Sequence, residues 1–253
     1  MALGFFDGTH KGYQHVIGCA KKVADEKNVS LDVMSFFPHP KTVLSGGKTI
    51  VQYLMTLEEK AKVLKRMGVD RFYIVHFTKA FASQLPEQYV KSYLLKFKTV
   101  HAVSGFDFSY GYKGRGNIST LAADSGDRIT TSEIGKVECH DEKISSTLIR
   151  ELILNGRLLK VKQLLGRNYT THTKIRNGQV QHQRQYILPE TGYYDVTLRS
   201  DFYHHECKVF VDHENHTISF VDQTILKYFS NKNLEITWKR KVASIAMKEY
   251  AIS

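Results

Sequence analysis

The sequence has little of several things, and each scarcity excludes a class of protein. No run of about 18 apolar residues is present, so no membrane-spanning helix is predicted. Only 4 prolines interrupt 253 residues, and no low-complexity tract appears, which argues against long disordered segments. The 3 cysteines (Cys19, Cys139 and Cys207) are far apart and odd in number, with no CxxC spacing, so free thiols in a reducing compartment are expected rather than a disulfide framework or a metal site. The opening Met1–Asp7 is too short and too soon charged for a signal peptide, and a cytoplasmic location is expected.

What is present is an ordinary globular composition with a basic excess. Hydrophobic residues make up 42% and charged residues 24%, enough to bury a real core. The net charge is +11, and most of it lies early: residues 1–165 hold 24 basic against 16 acidic side chains, residues 166–253 hold 12 against 9. Such an excess attracts polyanions without distinguishing nucleic acid from a nucleotide or a flavin phosphate. No arginine-rich strip, RNA-binding aromatic motif or helix-turn-helix accompanies it, so no nucleic-acid partner and no membrane partner are expected.

Two textures divide the chain. Through residue 165, short apolar runs (Met1–Phe6, Val29–Phe37, Arg71–Phe77, Thr99–Gly105) alternate with helically spaced stretches. Val16, Ala20, Val23 and Ala24 recur on one such face, and Leu57, Ala61, Leu64 and Met67 on another, with Gly68 placed to cap its end. This alternation predicts a parallel sheet with helices on both faces. From Tyr169 onward the chain reads as short strands, among them Tyr193–Leu198, Cys207–Val211, Thr217–Val221 and Glu235–Trp238, separated by the turn-formers Asn177-Gly178, Glu190–Gly192 and Glu214-Asn215. A small antiparallel barrel over 166–253 is expected, with the boundary near Leu165–Asn168.

The chemistry concentrates in two segments. Gly4-Phe5-Phe6-Asp7-Gly8-Thr9-His10-Lys11-Gly12-Tyr13 follows a strand and precedes a helix, where a parallel α/β sheet binds ligands. Gly8 and Gly12 allow close backbone approach to a phosphate, the helix N-terminus attracts it, and His10 can donate to oxygens that gain charge in a transition state. In Lys143-Ile144-Ser145-Ser146-Thr147-Leu148-Ile149-Arg150, three hydroxyls and an arginine gather around the start of a helix that Ser145 or Ser146 can cap.

These residues carry a resemblance. Gly4–Tyr13 resembles the G-x-F-D-G-x-H-x-G-H signature of bacterial FAD synthetases, and Ile144–Arg150 their I-S-S-T-x-I-R. Phe36-Phe37-Pro38-His39-Pro40 is similar to F-D-P-H-P, Thr56–Lys60 to T-x-x-E-K and Phe77–Phe81 to F-T-x-x-F. Gly105–Gly111 with Gly114–Gly116 is similar to G-x-D-F-x-F-G…G-x-G, and Leu164–Tyr169 to the L-L-G-R-x-Y junction into a riboflavin kinase domain. Two positions depart: Tyr13 replaces the second signature histidine, and Phe37 the residue before P-H-P.

The resemblance implies a Rossmann-like nucleotidyltransferase domain over 1–165 that transfers AMP from ATP to FMN, giving FAD and pyrophosphate with Mg²⁺. His10 and Arg150 would be catalytic. Gly4, Phe5, Phe6, Asp7, Gly8, His10, Gly12, Tyr13, Ser145, Ser146, Thr147 and Arg150 would bind ATP; Pro38, His39, Gly105, Phe106, Asp107 and Phe108 would bind flavin. No protein-held metal and no particular oligomeric state are implied. The kinase motif G-F-P-T-A-N is missing between Gln179 and Tyr186, although the stretch from Ile187 through Tyr193 resembles the L-L-P-x-x-G-x-Y strand start, so a degenerate kinase-like barrel is expected. A non-catalytic flavin- or nucleotide-binding regulator stands as the alternative, and a nucleic-acid-binding protein behind it. The His204-His205 and His213…His216 pairs are read as surface residues, since adjacent strand positions point to opposite faces.

Overall fold

The computed structural model describes residues 1–139, 142–176, 179–182, 184–200, 203–229 and 233–242. Contacts divide the chain into two compact units, Met1–Val51 with Leu57–Ser145, and Gln52–Thr56 with Ser146–Ser253.

The first unit is built on a five-stranded parallel sheet. Its strands are β1 (Ala2–Leu3), β2 (Asp32–Phe37), β3 (Arg71–His76), β4 (His101–Gly105) and β5 (Thr130–Ile134), in the spatial order β3-β2-β1-β4-β5. Alternation along the strands feeds two cores. Ala2, Val33 and Val103 are in register and pack with Val16, Ile17, Ala20 and Ala24 of α1 (Lys11–Glu26). Leu3, Met34 and Ala102 serve the opposite face, with Tyr89, Val90 and Leu94. Burying a sheet on both faces is what forces its central strands to be apolar. Further helices are α2 (Pro40–Leu44) and α3 (Leu57–Arg66), and Gly68 follows α3 at φ +79°.

The strand order reverses at β1: the chain steps outward through β2 and β3, then returns to place β4 on the other side of β1. In open α/β sheets the crevice beyond the strand ends at such a switch point is where ligands bind. The sequence-predicted parallel α/β architecture is therefore present.

The second unit opens with α4 (Ser146–Leu154) and α5 (Leu158–Leu165), which ends at Gly166 in the left-handed conformation. A six-stranded antiparallel sheet follows, curled into a half-barrel: β6 (Tyr169–Arg176), β7 (Gln179–His182), β8 (Gly192–Arg199), β9 (His204–Asp212), β10 (Thr217–Phe220) and β11 (Asn233–Val242), ordered β7-β6-β11-β8-β9-β10. The period-2 burial of Leu234, Ile236 and Trp238 on β11 points one face inward. Trp238 donates its indole N–H to Thr171 Oγ1 at 2.9 Å and meets the Tyr194 ring edge-on. The antiparallel second architecture agrees with the sequence, and the turn expected at Glu214-Asn215 joins β9 to β10. Asn177-Gly178 lies outside the described residues.

Candidate active site

The signature Gly4–Tyr13 leaves the sheet at the carboxyl end of β1, and its backbone is bent far from the ordinary regions. Phe6, Gly8 and Thr9 have φ of 52°, 78° and 41°. Gly8 takes this conformation without penalty, whereas Phe6 and Thr9 each store on the order of 1–3 kcal/mol of strain that surrounding contacts must hold. The Phe6 ring is completely buried and lies against Gly4, where an added Cβ would come within 3.0 Å of it. Asp7 and Thr9 are also completely buried, and His10 is 4% exposed.

His10 caps α1. Its Nδ1 accepts the backbone N–H of Tyr13 at 3.3 Å, which places the hydrogen of a neutral ring on Nε2. The Tyr13 ring stacks on the imidazole, with centroids 4.1 Å apart and planes at 17°, and meets Phe6 edge-on. The phenol that replaces the family histidine thus bears on the orientation of His10. Gly12 packs closely here: a Cβ would sit 3.2 Å from His10 Nδ1 and Cε1, tight enough to press on the imidazole, and 3.7 Å from the Ile144 carbonyl oxygen. That carbonyl belongs to the start of the second motif, so at Gly12 the first of the two segments that the sequence singled out approaches the second.

The expected flavin residues stand at neighbouring strand ends of the same unit. Pro38 and His39 follow β2, and His39 caps α2, its Nδ1 accepting the Lys41 N–H at 3.1 Å. The His39 ring packs edge-on against Phe5 at 4.4 Å, joining this element to the signature. Gly105 ends β4, paired with Ile134, while Leu3 of β1 pairs with Ser104. Asp107 forms an ion pair with Lys143 at 2.7 Å, and Lys143 Nζ lies 4.5 Å over the exposed Phe106 ring. Phe108 instead packs on the core, near Tyr110.

The structure therefore brings Gly4–Tyr13, Pro38-His39, Gly105–Phe108 and Lys143–Ser145 to the carboxyl ends of β1, β2 and β4. Ser146, Thr147 and Arg150 belong to α4 of the second unit, where Arg150 donates from Nε to the Gln52 carbonyl at 2.7 Å.

One residue had no role assigned from sequence. Lys60 on α3 is 3% exposed, and its ammonium donates to the Phe5 carbonyl at 2.8 Å. Burial pushes this ammonium down to about 8 against the opposing pull of Asp7. Its signal was present: Lys60 falls on the stripe of Leu57, Ala61 and Leu64, where a helix facing a core carries apolar residues.

In the second unit, β7 returns directly on β6 in a hairpin, Arg176 opposite Gln179 and Thr173 opposite His182. An open groove of ≈ 780 Å³ is lined by Lys162, Lys208, Lys239 and Arg240 with Asp195 and Glu206. Asp195 pairs with Lys208 at 2.6 Å and Arg240 at 2.8 Å, which holds its carboxyl below the usual range. Among the described residues no group of three or more His, Cys, Asp or Glu side chains could hold a metal ion, and no helix is long and apolar enough to cross a membrane.

Comparison with known proteins decides the family. A family model described as FAD synthetase matches residues 1–148. The chain belongs to the FAD synthetase family. A bifunctional riboflavin kinase/FMN adenylyltransferase of Listeria monocytogenes is 39% identical over 211 residues, covering 79% of this chain and 67% of that protein. A protein of the same description from Bacillus subtilis is 35% identical over 223 residues, covering 83% and 71%. An FAD synthetase of Listeria monocytogenes is 31% identical over 198 residues, covering 78% and 80%. A solved structure described as a macrolide-efflux protein from Streptococcus pneumoniae superposes with a TM-score of 0.83 over 99% of this chain and 88% of that one. At 22% identity the likeness concerns the fold. Within the FAD synthetase family model fall the signature, the P-H-P element, the G-x-D-F element and the start of the serine-rich motif; the half-barrel lies beyond it.

Proposed function

We propose that the protein is an FMN adenylyltransferase, joining the AMP of ATP to FMN to give FAD and pyrophosphate, and that it lacks riboflavin kinase activity. The observation that carries this reading is the buried His10 that caps α1 at the switch point of the sheet, its ring hydrogen directed to Nε2 by the Tyr13 N–H. Residues 1–165 would form the transferase and 166–253 a supporting barrel.

The reaction asks little acid–base chemistry of the protein. A phosphate monoester loses its second proton near pKa ~6, so FMN is mostly a dianion at pH 7 and is already a nucleophile. Its oxygen attacks the α-phosphorus of ATP, the α–β bridging bond breaks, and pyrophosphate departs with that electron pair. Rate enhancement then comes from alignment and from donors placed where charge grows. In this proposal His10 Nε2–H donates to the α-phosphate, while the backbone of the signature turn and the start of α1 cradle the nucleotide. The hydroxyls of Ser145, Ser146 and Thr147 and the Arg150 guanidinium are assigned to the pyrophosphate from their motif. Phe106 offers an exposed face for isoalloxazine, and His39 the edge of the same region.

Mg²⁺ would enter as part of the Mg–ATP substrate, screening the repulsion between triphosphate and FMN phosphate. The kinase reading is disfavoured by the stretch Gln179–Tyr186, which lacks G-F-P-T-A-N and whose first residues, Gln179–His182, form the strand β7 paired with β6. The test is direct: protein, FMN, ATP and Mg²⁺ should yield FAD by chromatography, and excess EDTA should abolish it. Tight FMN binding without FAD would favour the non-catalytic regulator instead.

A further inference from the structure

A lysine is rarely fully buried without a reason, because desolvating an ammonium is costly. Lys60 is 3% exposed and occupies the inward stripe of α3, where a leucine or methionine would complete the packing. Its contacts all converge on one place. Nζ donates to the Phe5 carbonyl at 2.8 Å and lies 3.4 Å from Ser35 Oγ on β2. Ser35 Oγ itself donates to the same Phe5 carbonyl at 2.7 Å. The ammonium also stands 4.9 Å from the centroid of the Phe5 ring, and its charge is felt by the buried Asp7 two residues on. Phe5 is the residue at which the chain leaves β1 for the bent signature turn, and the strained Phe6 and Thr9 follow it.

We propose that Lys60 is a positioning residue for adenylyl transfer: with Ser35 it clamps the Phe5 carbonyl and balances Asp7, fixing the turn that carries His10. The clamp resists the relaxation that positive φ at Phe6 and Thr9 invites. It also places a buried positive charge beneath a turn proposed to receive polyphosphate, where the field is little screened. The inference rests on the adenylyltransferase reading, but part of its test does not.

The test compares the full chain with Lys60→Met and Lys60→Arg by hydrogen exchange and by turnover. In Lys60→Met the amides of residues 4–10 should lose protection by roughly tenfold or more, while those of β4 and the second half of α1 hold theirs. FAD formation should fall by roughly 10- to 100-fold in kcat with KM for FMN and ATP within about threefold, the mark of misalignment rather than lost binding. Lys60→Arg, which keeps the charge and the donors, should restore most of both. Unchanged turn protection in Lys60→Met overturns the proposal. So does a loss of turnover that merely follows a general loss of protection across the sheet. Should methionine prevent folding, Lys60→Arg decides: protection and kcat within about threefold of the parent support the clamp, and their loss in a folded protein overturns it. A parent chain that makes no FAD would sink the enzymatic reading alone, since the exchange experiment still reports on the turn.

Discussion

The two units bury different things. In the first, the interior holds Asp7, His10, Asp32 and Lys60 beside its apolar cores, and three of those four surround or carry the signature turn. In the half-barrel, the buried polar side chains among the described residues are Thr171, Thr173 and Thr197, while charges such as Asp195, Lys208 and Arg240 pair at the rim of an open groove. Buried ionisable groups cost stability and persist where they do something else. By that measure the first unit carries the proposed site around His10, and the half-barrel of the second is organised chiefly to fold.

This contrast can be broken by mutating each side. The larger effect on chemistry should come from His10→Ala, which removes the proposed donor to the α-phosphate. Turnover should fall by roughly 10²–10³, with FMN affinity nearly unchanged because the contact strengthens as the reaction proceeds. Steady-state kinetics with a direct FMN-binding titration would check both halves. A fall in affinity equal to the fall in kcat would recast His10 as a binding residue.

Trp238→Ala should do the reverse. It empties a buried site and leaves Thr171 without its indole donor, costing about 3–5 kcal/mol. Denaturant unfolding should show the loss, while kcat per folded molecule changes little. A large drop in kcat at full folding would mean that the half-barrel is part of the catalytic apparatus, and the contrast would fail.

Much of this was legible in the sequence, and what was not has a physical cause. The parallel strands β2 and β4 announce themselves as apolar runs because both of their faces are buried. The fifth strand, Thr130–Ile134, is not read, because as an edge strand its sequence Thr-Thr-Ser-Glu-Ile carries little apolar signal. His10, Gly12 and the serine-rich motif stood out through residue type and order. Lys60 did not, although it lay inside a quoted motif: lysine on a helix is normally solvated, and only the carbonyl and hydroxyl brought from β1 and β2 explain an inward one. The β9 strand runs from His204 to Asp212, beyond the apolar stretch at Cys207–Val211, because strand pairing with β8 continues through polar residues.

The central claim is that the protein transfers an adenylyl group to FMN and that its half-barrel transfers no phosphoryl group to riboflavin. Isotopic labelling tests it in a single measurement. The protein would be supplied with Mg²⁺, a mixture of riboflavin and FMN, and ATP labelled in parallel reactions at the α- or the γ-phosphate. Adenylyl transfer predicts α-label in FAD at a rate well above background, with γ-label confined to pyrophosphate and absent from FMN and FAD. Appearance of γ-label in FMN would show a working kinase in the half-barrel, and absence of α-label from FAD would contradict the assignment of the signature turn.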